Sequence, residues 1–271
     1  LLNIRSSTAI ILLAIATLAG CSSQQPATDN TKKQQATVKL DPATFATLSG
    51  IVHFSGTVPK AKRINMSEDP ACKGQNEDES LVVRDGRLAN VVVYVKSGLP
   101  NTGWIKFTRF ARRSDEDPDP TSGIILQKGC RYVPHVVAVT TAEKVRIEND
   151  DPTTHNIHPM PRANKEWNAS QSPGAEPLVK TFDHPELMIP VKCNVHPWMR
   201  AYINVFNHPF YRVTREDGTF SFNDLPPGTY TIAAVHETLG EQTAQVTVGP
   251  KQKKDVDFTF NSSPNPASAA K

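Results

Sequence analysis

Seven consecutive residues, Cys193-Asn194-Val195-His196-Pro197-Trp198-Met199, place a thiol, an imidazole and a thioether within one short stretch. A second His-rich segment, Thr154-His155-Asn156-Ile157-His158, lies upstream. One thiolate, two imidazoles and a weak thioether form the donor set that selects copper, with three strong ligands in a trigonal arrangement and a long axial Met bond. Donors at i, i+3 and i+6 of a tight loop can curl round one ion but cannot enclose it, so a further imidazole must come from elsewhere, and His155 or His158 offers it. Zinc competes for Cys and His, but it usually takes four N, S or O ligands in a tetrahedron and thioether is not among its usual partners. Met199 therefore tips the choice towards copper.

The elements that must hold these donors read as strands. Leu48 to Phe54, Ala89 to Val95, Val136 to Val139 and Val145 to Ile147 are apolar, β-branched or alternating. Leu187 to Val191 leads into the Cys loop and Ala201 to Phe206 leads out of it. Thr219 to Phe222, Thr229 to Val235, Ala244 to Val248 and Val256 to Phe260 complete the set. Scattered turn formers (Gly 14, Pro 22 in 271 residues) separate these runs, and no segment carries a helical period, so an all-β protein built of sandwiches is expected. A formal net charge of +3 without a basic cluster argues against nucleic acid as a partner.

The chain opens with Arg5 and an apolar run from Ala9 to Leu18, too short for an ordinary membrane span, which reads as a signal peptide over 1–20. Leu18-Ala19-Gly20-Cys21 resembles a bacterial lipobox, which implies lipid on Cys21. Residues 21–43 are polar and read as a flexible tether, and 261–271 as a disordered tail. The acidic stretch 114–120 reads as a solvated loop and a domain boundary. With Cys21 lipidated and Cys193 kept as a thiolate, Cys72 and Cys130 remain, and an exported protein tends to oxidise such a pair, so a Cys72–Cys130 disulfide is expected.

Two family resemblances organise the rest. Asp217-Gly218-Thr219-Phe220-Ser221-Phe222 followed by Leu225-Pro226-Pro227-Gly228-Thr229-Tyr230 resembles the carboxypeptidase regulatory-like (transthyretin-like) β-sandwich. Ser49 to Gly56 and Asn90 to Val95 look like the first two strands of the same module. The Cys-x-x-His-x-x-Met loop, the run Val145 to Asn149 leading to His155-Asn156, and Tyr132 to Val136 resemble the cupredoxins, most of all the amicyanin and pseudoazurin types. Together they imply a cupredoxin Greek-key sandwich over 122–208, inserted in or preceding a regulatory-like sandwich made of 44–121 and 209–260.

The cupredoxin resemblance assigns roles. It selects His155 over His158, giving His155, Cys193, His196 and Met199 as the ligands of one type 1 copper site. It implies that the backbone N–H of Asn156 bonds the Cys193 sulfur and that the Asn149 amide ties the two ligand loops together. It also implies that His196 is exposed within an apolar collar of Pro197 and Trp198, where electrons enter and leave. The expected function is a membrane-anchored copper protein that carries single electrons outside the cytoplasm, not an enzyme. Its partner would be a cytochrome, oxidase or dehydrogenase. The alternatives are a copper storage or delivery lipoprotein, and a cell-surface binding module with a structural copper site.

Overall fold

The computed structural model describes residues 40–101, 123–141 and 143–262. The signal segment, Cys21, most of the tether, the acidic stretch and nearly all of the tail lie outside the described residues. A 3-10 turn (Pro42–Thr44) precedes nineteen strands, and there is no α-helix among the described residues. Before the first gap come β1 (Ala46–Ser55), β2 (Val83–Arg84), β3 (Arg87–Leu88) and β4 (Val92–Ser97). The middle of the chain forms β5 (Ile124–Gln127), β6 (Tyr132–Val133), β7 (Val136–Thr140), β8 (Val145–Asn149), β9 (His155–Pro159), β10 (Ala169–Gln171), β11 (Leu178–Lys180), β12 (Glu186–Lys192) and β13 (Arg200–Phe206). The last third forms β14 (Tyr211–Val213), β15 (Thr219–Leu225), β16 (Gly228–His236), β17 (Gly240–Val248), β18 (Lys253–Asp255) and β19 (Phe258–Asn261).

The strands pair into two sandwiches. In the first, one sheet runs β15-β1-β3-β2, with β18 and β19 also against β1, and the facing sheet runs β14-β4-β16-β17. Strands from both ends of the chain therefore interleave, and their inward side chains, among them Leu48, Val52, Val93, Phe222, Ile232 and Phe260, form one core. The strand expected from Val256 to Phe260 starts only at Phe258, and a separate short strand precedes it. Lys253–Asp255 pairs with Thr47–Ser49, and Phe258–Asn261 pairs with Val52–Ser55. Between these pairings Asp257 Oδ1 accepts the Ile51 N–H at 2.8 Å. Gly50 sits at this crossing, where a Cβ would lie 1.8 Å from the Val256 carbonyl oxygen.

The second sandwich holds the chemistry. Its sheets run β10-β9-β12-β13-β7 and β11-β8-β5-β6, over a core that includes Ile125, Ile147, Ile157, Ile189, Val191 and Ile203. The period-2 burial of Val145, Ile147 and Asn149 in β8 shows how alternation chooses the core face. The two sandwiches share a third apolar cluster. Val92, Tyr94, Tyr211 and Ala233 of the first meet Val136, Ala138 and Phe206 of the second. This is why β4 and β7, buried along most or all of their length, read as continuous apolar runs rather than as alternating ones.

Candidate metal centre

Strand pairing brings the donors together. β12 and β13 are antiparallel neighbours with Lys192 opposite Arg200, so residues 193–199 must close as a turn between them. Within that turn the Cys193 N–H donates to the Met199 carbonyl at 3.3 Å, and the Met199 N–H to the His196 carbonyl at 2.9 Å. β9 lies antiparallel on the other side of β12, with His158 opposite Lys192. That register carries residues 155 and 156 past the end of β12 and alongside the Cys loop.

His155 Nδ1 lies 2.9 Å from His196 Nδ1, and Cys193 Sγ lies 3.8 Å from the same His196 nitrogen. One ligand atom from each of His155, Cys193 and His196 falls within 4.8 Å of the others. All three side chains are buried, at 0%, 3% and 1% exposure, and Met199 packs in the same core cluster at 1%. His158 stays outside, facing Glu166 at 2.6 Å and Asn194 at 3.3 Å.

The Cys193 sulfur accepts two backbone N–H groups, Asn156 at 3.3 Å and His196 at 3.4 Å. Such bonds withdraw electron density from a thiolate and hold it in place. The Tyr132 hydroxyl donates to the Asn156 carbonyl, and burial, with the nearby Cys193 sulfur adding to it, pushes its phenol well above the ordinary range. Asn149 does not tie the two ligand loops together as expected. Its amide donates to the Thr153 and Gln171 carbonyls at 2.8 and 2.9 Å and so braces the 149–153 turn against β10. The tie between the loops is the Asn156 side-chain oxygen, which accepts the Asn194 N–H at 3.1 Å.

Two carboxylates that the sequence reading passed over complete the surroundings. His155 Nε2 lies 2.8 Å from Asp151 Oδ2, and His196 Nε2 lies 2.9 Å from Asp69 Oδ2. The Ala71 N–H first, then His196 and the Thr153 hydroxyl, hold the Asp69 carboxyl down at about 2. Burial lowers the His155 pKa in spite of the Asp151 carboxylate. Asp69 precedes the Cys72–Cys130 disulfide by three residues, and the disulfide is formed, with Cα atoms 5.6 Å apart. Cys193 is free and buried. The disulfide packs with Met66, Ile64 and Trp198. The segment around it covers the outer edge of His196, so that imidazole is buried rather than exposed within a collar. Pro197 is exposed, while Trp198 is half-buried, its ring 5.0 Å from His196 and its indole N–H on the Cys130 carbonyl at 3.2 Å. Both residues line a cleft of about 470 Å³ with Arg131, His135, Tyr202 and Glu237. His135, beside Cys130 in sequence, pairs there with Glu237 at 2.5 Å and takes no part in the centre.

Fold and site together define a two-sandwich protein with a buried Cys-His-His centre capable of holding one metal ion. Residues 196–261 match the family model of the carboxypeptidase regulatory-like domain. That match begins inside the ligand loop and takes in β13, which pairs only within the other sandwich. Similar solved structures include a copper-containing nitrite reductase from Thermus scotoductus, at 19% identity and TM-score 0.29, covering 31% of this chain and 22% of that one. They also include a purple cupredoxin from Nitrosopumilus maritimus, at 20% identity and TM-score 0.27, covering 31% and 98%. An oxidised amicyanin variant is similar at 15% identity and TM-score 0.29, covering 42% and 98%. No curated protein matches the chain.

Proposed function

We propose that the protein is a copper-binding electron carrier, tethered to a membrane through lipid on Cys21 and facing the outside of the cytoplasm. The observation that carries this reading is the convergence of one donor atom each from His155, Cys193 and His196 within 4.8 Å, with Met199 at the end of the same loop. One thiolate and two imidazoles near a thioether suit copper better than zinc, for which a thioether is a poor fourth ligand. Copper in such a site supplies a one-electron couple.

The chain's own residues do the rest. Burial of all four donors excludes water, and the N–H groups of Asn156 and His196 fix the sulfur whether or not an electron is present. A rigid donor frame favours transfer because little has to move. Trp198, in contact with His196 and lining the cleft, gives the buried centre a path of conjugated atoms towards the surface, where a cytochrome, oxidase or dehydrogenase would dock.

The test is the visible and EPR spectrum of the copper-loaded protein. An intense thiolate-to-copper band at one copper per chain, absent from Cys193→Ala, is expected. Loaded protein without that band, or a band that survives Cys193→Ala, overturns the reading. Membrane association is tested separately by whether Cys21→Ala releases the protein from the membrane fraction.

A further inference from the structure

Each of the two imidazoles turns its Nδ1 towards the centre and its Nε2 towards a carboxylate. Neither carboxylate is free to turn away. Asp151 receives the Gly129 N–H on Oδ1 at 2.7 Å and the Cys130 N–H on Oδ2 at 2.8 Å. Asp69 receives the Ala71 N–H on Oδ1 at 2.8 Å and the Thr153 hydroxyl on Oδ2 at 2.8 Å. The Cys72–Cys130 disulfide joins the turn that follows Asp69 to the turn that holds Asp151. The pair is therefore one cross-linked unit lying against the outer edges of both imidazoles.

We propose that Asp69 and Asp151 are positioning residues of the metal centre, which fix both imidazoles with Nδ1 presented to the ion and favour its more highly charged oxidation state. This rests on the copper reading above. A carboxylate facing Nε2 can only accept, so it requires a proton there and leaves the Nδ1 lone pair for the metal. It also makes the imidazole a stronger donor, which stabilises Cu(II) more than Cu(I). Thr153 adds a link between the two sides, because it lies in the turn leading to His155 and bonds Asp69, which faces His196.

The experiment compares copper-loaded wild type with Asp69→Asn, Asp151→Asn and a control, Asp78→Asn, an acid of the same segment that bonds Ser80 instead of a ligand histidine. In Asp69→Asn, an amide oxygen kept on the Ala71 N–H aims the amide donor at His196 Nε2 and drives that ring to the wrong tautomer; in Asp151→Asn no orientation accepts both the Gly129 and Cys130 N–H groups, so the hold on His155 Nε2 is loosened. Each of the two centre variants is expected to lose Cu(II) affinity by about 10- to 100-fold. If Cu(I) affinity holds, a tenfold loss raises the reduction potential by about 59 mV. In the diamagnetic Cu(I) form, nitrogen NMR is expected to show protonated, exchange-protected Nε2 atoms in wild type and loss of that protection at the facing ring in each variant. Asp78→Asn leaves all three readouts in place. Should an Asn variant fail to fold, Asp69→Glu keeps the charge and alters the reach, and an intermediate potential shift is expected. Wild type with the thiolate band but with variants unchanged in potential and in Nε2 protection overturns this proposal alone. Wild type without the band overturns the copper reading instead.

Discussion

The side-chain oxygen of Asn156 accepts the backbone N–H of Asn194 at 3.1 Å, while the Asn156 backbone N–H reaches the Cys193 sulfur at 3.3 Å. One residue therefore fixes both the loop that carries the thiolate and the thiolate itself. Its amide nitrogen is also occupied, by Asn168 Oδ1 and by the Ala169 carbonyl at 3.1 Å. Asn156→Ala leaves the backbone bond to sulfur but strands the Asn194 N–H and the Ala169 carbonyl. A loss of about 0.5–1.5 kcal/mol is expected for hydrogen bonds at part-buried groups. Urea denaturation of the metal-free protein measures it, and broadened EPR lines in the loaded protein would report the loosened loop.

Removing the Cys72–Cys130 link by a double Cys→Ser substitution is expected to lower stability by about 4 kcal/mol on chain-entropy grounds, given the long loop it closes. The sequence separation is 58. The denaturation midpoint checks this directly. A protein that keeps its midpoint would show that packing of Met66, Ile64 and Trp198 and the Asp69 and Asp151 hydrogen bonds hold this segment without the cross-link.

Acid should destabilise the first sandwich and its boundary through two buried histidines. Burial pushes His208 and His236 down to about 4. Both use Nδ1 as an acceptor, from the Phe210 N–H at 3.2 Å and the Thr238 N–H at 3.3 Å. The unfolded chain, titrating near 6.5, takes up these protons first, so the stabilisation is complete above about pH 6.5 and is lost as pH falls towards 4. The drop corresponds to at most about 3–4 kcal/mol per histidine. Melting temperature measured from pH 7 to pH 4.5 should fall, and His208→Gln should fall less steeply.

Gly50→Ala is expected to prevent or severely impair folding, by more than about 3 kcal/mol, because its Cβ would meet the Val256 carbonyl oxygen at 1.8 Å. Backbone on backbone leaves no flexible side chain to give way. The readout is the yield and melting temperature of the variant. Any fraction that folds should keep the spectrum of the loaded centre, which lies in the other sandwich.

The ligand loop was legible because its chemistry is concentrated. Cys193, His196 and Met199 fall in one heptad, and only a closed hairpin turn can hold them, so spacing stood in for geometry. The strands β1, β4, β12, β13 and β16 were legible for a similar reason, since burial writes itself as alternating or continuous apolar runs. The carboxylates were not. Asp69 sits in Ser67-Glu68-Asp69-Pro70 and Asp151 in Asn149-Asp150-Asp151-Pro152, settings that read as solvated turns. What makes them part of the centre is long-range contact, Asp69 with His196 and Thr153 and Asp151 with the Gly129 and Cys130 N–H groups, which no local pattern reveals. His196 is buried for the same reason, because the segment that covers it is remote in sequence. Asn149 was given a task that Asn156 performs: the two sit at opposite ends of one turn, and composition cannot say which amide faces which loop. The short strands β10 and β11 carry too few apolar residues to stand out.

The antiparallel pairing of β4 with β14 sets Tyr94 directly opposite Tyr211. The Val95 N–H also donates to the Phe210 carbonyl at 3.0 Å, so the two chain ends at this pairing stand one strand spacing apart, a doorway of about 5 Å. A hairpin of two to five residues could bridge that doorway, so the host could in principle be rejoined without its guest. The rejoined protein would nevertheless present Val92, Tyr94 and Ala233 to water, since the guest is what shelters them. Cutting the guest out therefore uncovers an apolar face of the host even where the backbone would permit the join.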